Sequence, residues 1–232
     1  MRKSIIVISL GGSIIIPDKI NIKILTEFRK IILKNTRKYK FVIVCGGGAT
    51  ARNYIKGLEN EKIKKREFFQ CLLGVSSTRL NARFMTYFFG RDANQGMPHD
   101  MKDIENLLRL HDIVFCGGLR YGKYETSDST AAKLARHFNT YFINLTDIAG
   151  LYDKNPKKYR NAVFISEITH KNFYKITKKI KYKPGQHFVL DQKAAKIIKK
   201  YNITTYLLGQ EMKNLDNLLN GRHFVGTVIR RK

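Results

Sequence analysis

Gly11, Gly12 and Ser13 in "LGGS", Gly46, Gly47 and Gly48 in "CGGGA", and Gly117 and Gly118 in "CGGL" form three loops of one style, each straight after a short apolar run. Glycine carries no Cβ, so an anion can approach the backbone N–H groups of such a loop. A helix starting behind it adds a favourable dipole. One loop of this kind is equally well a buried tight turn; three after successive apolar runs point to phosphate binding. No "GK[ST]" follows at the P-loop spacing and no G-x-G-x-x-G occurs, so the two commonest nucleotide motifs are absent.

Other residues near these loops could act on a phosphate. Arg52 follows the glycine triplet closely, and its planar fork suits a phosphate oxygen pair. Thr126 and Ser127 offer hydroxyl donors just ahead of Asp128, although the same three residues could simply cap a helix. Asp191 heads "DQKAAKII", where it suits a helix N-cap. The sequence displays no Ser-His-Asp, paired-carboxylate or HExxH constellation.

The elements that must position these residues read as alternating strands and helices. Apolar runs lie at residues 4–10, 40–45, 112–116, 140–145 and 204–209, without the strict alternation of half-exposed strands. Leu25, Phe28 and Ile32 share one face of a helix after Asp18, and Leu80, Phe84, Tyr87 and Phe88 share one face of a later helix. "DSTAAKLARHF" and "DQKAAKIIKKY" each open on an Asp suited to the N-cap, which predicts helix starts at Asp128 and Asp191. This pattern predicts an α/β fold, a three-layer α/β/α sandwich on a mostly parallel central sheet. No repeat or linker divides the chain, so residues 1–232 read as a single domain.

With 232 residues, 43% of them hydrophobic, the chain can bury a substantial core. Its 44 Lys and Arg against 18 Asp and Glu give a formal charge of +26, a field that attracts nucleotides, nucleic acids and acidic membranes alike. The basic residues are spread along the chain, as a coding bias or a hot habitat would also produce, so a nucleic-acid partner is not expected. Cys45, Cys71 and Cys116 are too few and scattered for a disulfide framework or a zinc site. "MRKSIIVISLGGSIIIP" has the basic start of a signal peptide, but "GGS" interrupts its apolar core and no cleavage site follows. The expectation is a cytoplasmic protein without a membrane span.

Taken in order, "SLGGS", "VIVCGGGATARNY", "LLGVSSTRLNA", "GGLRYGKYETSDSTAAKLA", "LTDIAGLYDKNPKKY", "DQKAAKII" and "NGRHFVGTVI" resemble the amino acid kinase superfamily, and within it the archaeal type of UMP kinase (uridylate kinase). The resemblance implies transfer of the γ-phosphoryl of ATP to UMP, with Mg²⁺ carried by the nucleotide, and a homo-oligomer that in these kinases is typically a hexamer. It further implies that Gly11, Gly12, Ser13, Gly48, Arg52, Thr146, Tyr152 and Asn155 serve ATP, with Arg52 in the first helical turn and Tyr152 packing on adenine. UMP would meet Gly47, Cys71, Arg120, Tyr121, Gly122, Thr126 and Ser127. Asp191 stands at the active-site aspartate, orienting a cation, and with Arg52 would be catalytic.

The sequence departs from the family pattern at several places; Asn155 stands where the family usually has Asp, and the loop in "LRYGKYETSD" is shorter by about two residues. Ser9 stands where a Lys is frequent, Cys71 replaces an Asp that contacts the UMP ribose, Ala149 replaces an Asp and Gln192 a Pro. Two alternatives stay open here. One is another phosphate-acceptor kinase of the same fold, such as isopentenyl phosphate kinase, which has His where Cys45 precedes the glycines. The other is a non-catalytic nucleotide- or RNA-binding protein.

Overall fold

The computed structural model describes residues 3–59, 62–120, 125–178 and 190–231. The chain begins with β1 (Ser4–Leu10), the one-turn α1 (Gly12–Ile15), α2 (Ile22–Asn35) and β2 (Tyr39–Cys45). It continues through α3 (Gly48–Gly57), the long α4 (Arg66–Phe89), α5 (Met101–Leu110), β3 (Ile113–Cys116) and α6 (Ser127–His137). Next come β4 (Phe142–Leu145), β5 (Leu151–Tyr152), β6 (Phe164–Ile165), β7 (Glu167–Thr169) and α7 (His170–Lys178). The last elements are α8 (Gln192–Tyr201), β8 (Thr205–Leu208), α9 (Met212–Leu219) and β9 (Thr227–Arg230).

The main sheet runs β3-β2-β1-β4-β8-β9-β7, with β5 and β6 forming a separate small hairpin. Pairing is parallel from β3 to β8, antiparallel between β8 and β9, and parallel again between β9 and β7. The apolar runs become strands because both of their faces are covered. Ile6, Ile8 and Leu10 pack with Phe28 of α2, Met85 of α4 and Leu215 of α9, while Val7 points to the other side and meets Ile104 of α5, Leu134 of α6 and Ile198 of α8. That is the three-layer sandwich that the alternating pattern predicts.

Register then places the glycine loops. Leu10 pairs with Cys45 and with Leu145, and Val44 pairs with Cys116, so β1, β2, β3 and β4 all end at one edge. The three loops leave side by side, at the carboxyl ends of parallel strands where open α/β sheets hold ligands.

Two expectations are corrected. The face of α4 bearing Leu80 and Tyr87 is turned outward, with 58% and 71% of those residues exposed, while Phe84 and Phe88 only skirt the core. The inward face carries Ser77, Thr78, Asn81, Ala82 and Met85. Its polar members are there for the loops: Asn81 Nδ2 donates to the carbonyls of Gly46 (2.7 Å) and Gly47 (3.1 Å), and Thr78 Oγ1 accepts from Gly118 N (2.8 Å). A Cβ on Gly117 would lie 2.6 Å from Arg79 N, so helix and loop touch backbone to backbone. The second correction concerns α6, which starts at Ser127 and not at Asp128. Thr126 is the N-cap, in a capping box with Ser129, and Asp128 lies inside the first turn.

Candidate active site

The loops meet in a cavity of about 250 Å³ at the carboxyl edge of the sheet. Its floor is the crossing of the first two loops. A Cβ on Gly12 would fall 2.0 Å from Gly48 N, closer than any side chain permits, and Gly48 itself has φ +59°. The chain therefore uses glycines here partly so that two backbones can cross. Gly46 N donates to Leu10 O and Gly11 N to Leu145 O, each at 2.9 Å, fixing the loops to the sheet. No side chain caps α1 or α3, which start at this crossing. Helix N-termini of this kind carry spare N–H donors and a positive dipole end, the features that favour a phosphate.

The opposite wall is built from α6 and α8, whose N-termini are capped. Asp191 Oδ1 accepts from Lys193 N (2.7 Å) and Ala194 N (3.0 Å), and its Oδ2 accepts the hydroxyl proton of Thr126, the cap of α6. The two caps are thus bonded to each other. Thr126 N in turn donates to Ser129 Oγ at 3.0 Å. The Thr126 hydroxyl expected to donate to a phosphate is thus committed to Asp191, while Ser127 lines the cavity beside it.

Asp128 is a site residue that sequence reasoning assigned to capping alone. It lines the cavity, partly open to it and enclosed on its other sides, and accepts from Ser9 Oγ at 2.8 Å. Burial pushes its carboxyl up to about 7; the charge of Asp191 adds to the rise, and the Ser9 hydrogen bond opposes it. Asp191 is also raised, by burial first, against the Thr126 and backbone hydrogen bonds that lower it. The two aspartates are therefore a paired-carboxylate constellation of the kind that the sequence, read linearly, does not display. Glu125 behaves oppositely. Burial works against its charge, but hydrogen bonds from Lys133, Lys193 and Ser129 outweigh it and hold the carboxyl below its usual range. Both lysines reach Glu125 Oε1 at 2.5 Å.

The remaining expected residues divide into two groups. Gly11, Gly12, Ser13, Gly47, Gly48, Arg52, Cys71, Arg120 and Thr146 all line the cavity. Arg52 is the fifth residue of α3, one turn later than expected, and its Nη2 donates to Pro17 O at 2.6 Å, which aims the fork across the first loop. Cys71 faces the cavity from α4 with its thiol pushed up by burial and then by Glu67, so it stays a neutral thiol. Its neighbour Gln70 donates Nε2 to Ile55 O at 3.0 Å. Arg120 pairs with Asp100 at 3.1 Å.

Tyr152 and Asn155 are not brought to the cavity lining. Tyr152 sits in the β5–β6 hairpin with its ring edge-on to Phe164 (centroids 5.3 Å apart), and Asn155 Oδ1 accepts from Lys157 N at 2.9 Å within the following turn. Tyr121 and Gly122 lie outside the described residues. Among the described residues, no cluster of three or more His, Cys, Asp or Glu could hold a metal by itself, and no helix is long and apolar enough to cross a membrane.

A family model described as the amino acid kinase family matches residues 4–209. The chain belongs to the amino acid kinase family. It is 33% identical over 225 residues to a uridylate kinase of Archaeoglobus fulgidus, covering 97% of this chain and 99% of that protein. A uridylate kinase of Thermoplasma volcanium is 32% identical over 229 residues, covering 98% of each. Among solved structures, uridylate kinase from Archaeoglobus fulgidus superposes with a TM-score of 0.81 at 32% identity, covering 97% of this chain and 99% of that one. UMP kinase from Ureaplasma parvum, at 22% identity and a TM-score of 0.77 over the full length of both, shares the amino acid kinase fold.

Proposed function

We infer that this amino acid kinase is a UMP kinase: it transfers the γ-phosphoryl of ATP to the 5′-phosphate of UMP, giving UDP and ADP. The observation that carries the reading is the agreement, over nearly the whole chain, with relatives named uridylate kinase. The cavity supports it chemically. The attacking group is an anionic phosphate oxygen, so its bond to the γ-phosphorus forms, and the bond to the β,γ-bridging oxygen breaks, with no proton to remove. What the protein must supply is alignment of two polyanions and stabilisation of charge at the phosphorus.

In this reading the uncapped starts of α1 and α3, with Gly11, Gly12, Ser13 and Gly48, receive the ATP phosphates, and Arg52 adds a charged fork. Thr146 meets the nucleoside, and the hairpin bearing Tyr152 and the turn of Asn155 border the adenine. Gly47, Cys71, Arg120 and Ser127 take UMP, with Thr126 holding Asp191 in place. Mg²⁺ is carried in on the phosphates and supplies further charge neutralisation. Asp128 and Asp191 fit its presence, because two raised carboxylates sharing one wall are each stabilised when a cation arrives. Cys45 is buried before the glycine triplet, so the cavity lacks the imidazole that marks isopentenyl phosphate kinases.

Further parts of the reading are that residues 1–232 form one domain, that the enzyme is cytoplasmic and serves pyrimidine nucleotide synthesis, and that it is a homo-oligomer, by family analogy a hexamer. The outward-facing Leu80 and Tyr87 on α4 support self-association, and light scattering on the eluting protein measures it. The decisive experiment is an acceptor screen with ATP and Mg²⁺, read by product mass. UMP is expected to exceed CMP, AMP and isopentenyl phosphate in kcat/KM; another acceptor ahead by tenfold would overturn the assignment.

A further inference from the structure

The basic residues are scattered in the sequence, but the fold gathers an acid-free set of them. Neither α7 ("HKNFYKITK") nor α8 ("QKAAKIIKKY") contains an Asp or Glu. Both bury their apolar residues on the sheet, Phe173 from α7 and Ala194, Ala195 and Ile198 from α8. That leaves Lys171, Lys175 and Lys178 exposed on the first helix and Lys196, Lys199 and Lys200 on the second. Among the described residues none of these six is ion-paired. The helices present one surface, since Lys199 Nζ of α8 lies 4.7 Å from the ring centre of Tyr174 on α7. Arg136 of α6 extends it: its guanidinium lies 4.8 Å and Lys200 Nζ 5.1 Å from the centre of Tyr201, a partly exposed ring at the end of α8 that gathers the two cations. Glu167, just before α7, is neutralised by Arg230 at 2.8 Å.

We propose that the α7–α8 face is a docking surface for single-stranded RNA, its lysines meeting successive phosphates and Arg136 and Lys200, held on the Tyr201 ring, closing the basic track at the end of α8. The kinase cavity does not require this cluster: the exposed lysines of both helices stand outside its lining. Unpaired like charges on packed helices repel one another, so a polyanion relieves a repulsion that the free protein carries. Backbone neutralisation along a basic track is the chemistry of single-strand binding. An acidic membrane fits less well, because the exposed residues of the two helices are Lys, Asn and Tyr, with no exposed aliphatic side chain to insert.

The test is fluorescence anisotropy of a labelled 20-nucleotide mixed-sequence RNA, titrated at several salt concentrations with excess UMP present. A triple variant Lys175→Glu, Lys196→Glu, Lys199→Glu is compared with Lys19→Glu, Lys23→Glu, Lys30→Glu, which makes the same charge change on and just before α2, on the opposite face of the sheet. The α7–α8 triple is expected to weaken binding at least tenfold more than the α2 triple. It should also flatten the log-log salt slope by about 2, at roughly 0.7 per lost phosphate contact on a single strand. Equal weakening by both triples would assign the binding to diffuse charge and overturn the proposal. So would undetectable wild-type binding at physiological salt, or binding to phosphatidylglycerol vesicles without RNA binding. Melting temperature and UDP formation are followed in each variant. They report misfolding and the kinase reading separately, and the RNA result stands whichever acceptor the enzyme uses.

Discussion

Asp128 offers the sharpest test of the electrostatics in the cavity wall. Its carboxyl is raised by burial and by Asp191 from the ordinary range to about 7. An acid whose native pKa exceeds its unfolded value binds its proton more tightly when folded. Its stabilising contribution is full below about pH 4, declines as pH rises, and is gone above about 7. Between pH 5 and 7 about two units of that window are crossed, which bounds the effect at a few kcal/mol. The cavity side of the carboxylate is open to water, which screens it and brings the expectation to about 1–2 kcal/mol. Asp128→Asn keeps the shape and removes the titration. Relative to wild type, the variant should therefore gain on the order of 1–2 kcal/mol more at pH 8 than at pH 5, or roughly 2–8 °C in melting temperature for a chain of this size. Differential scanning fluorimetry of both proteins at both pH values, without nucleotide, measures it. Saturating MgATP should stabilise the wild type more than the variant, because the cation then meets the charged carboxylate. A difference between the two proteins that does not change with pH would refute the raised titration of Asp128.

Arg52→Ala removes a charged fork and one bond to Pro17, so kcat/KM should fall roughly tenfold or more, as for a charge-assisted hydrogen bond of about 1.5–3 kcal/mol, with little change in melting temperature. Cys71→Asp should lower KM for UMP and sharpen its preference over the deoxyribose analogue, while Cys71→Ala stays near wild type; an unchanged ribose-to-deoxyribose ratio would put position 71 outside the sugar pocket. Gly12→Ala forces a Cβ into the backbone of Gly48 and should destabilise by about 1–3 kcal/mol or more. Its control, Gly57→Ala at the end of α3, meets nothing within 4 Å and should be neutral or stabilising by urea denaturation.

What the sequence made legible is what depends on neighbours along the chain. The apolar runs of β1 to β4 and β8 announce strands buried on both faces, and the glycines announce the loops behind them. Leu25, Phe28 and Ile32 face inward as their spacing predicts, because α2 has only the core to pack against. α4 misled because its inner face answers to loops distant in the chain, Gly46 and Gly47 on one side and Gly118 on the other. The Asp128–Asp191 pairing was invisible for the same reason, since two unrelated helix starts meet only after the sheet has formed. Tyr152 and Asn155, carried over from a resemblance, depended on the local path of a hairpin that no spacing rule specifies.

The two-sidedness of α4 bears on how the chain reaches this structure. Turned about its axis, the same helix could bury Leu80 and Tyr87 against the sheet, an arrangement that hydrophobic collapse would partly reward. Ala82, Met85 and Phe89 weigh for the native rotation, since turning the helix would lift them out of the core, but the apolar residues on the other face keep the margin smaller than for a one-sided helix. Asn81 and Thr78 widen that margin, through bonds that exist only once the glycine loops are in place. Their part in selecting the native rotation thus comes late. Asn81→Ala should accordingly add a slow or unproductive refolding phase in stopped-flow experiments, beyond what its loss of stability explains. A variant that simply unfolds faster and refolds in one phase would speak against it. Association through the outward face would act on the same choice from outside, since a partner that covers Leu80 and Tyr87 removes the incentive to turn them in.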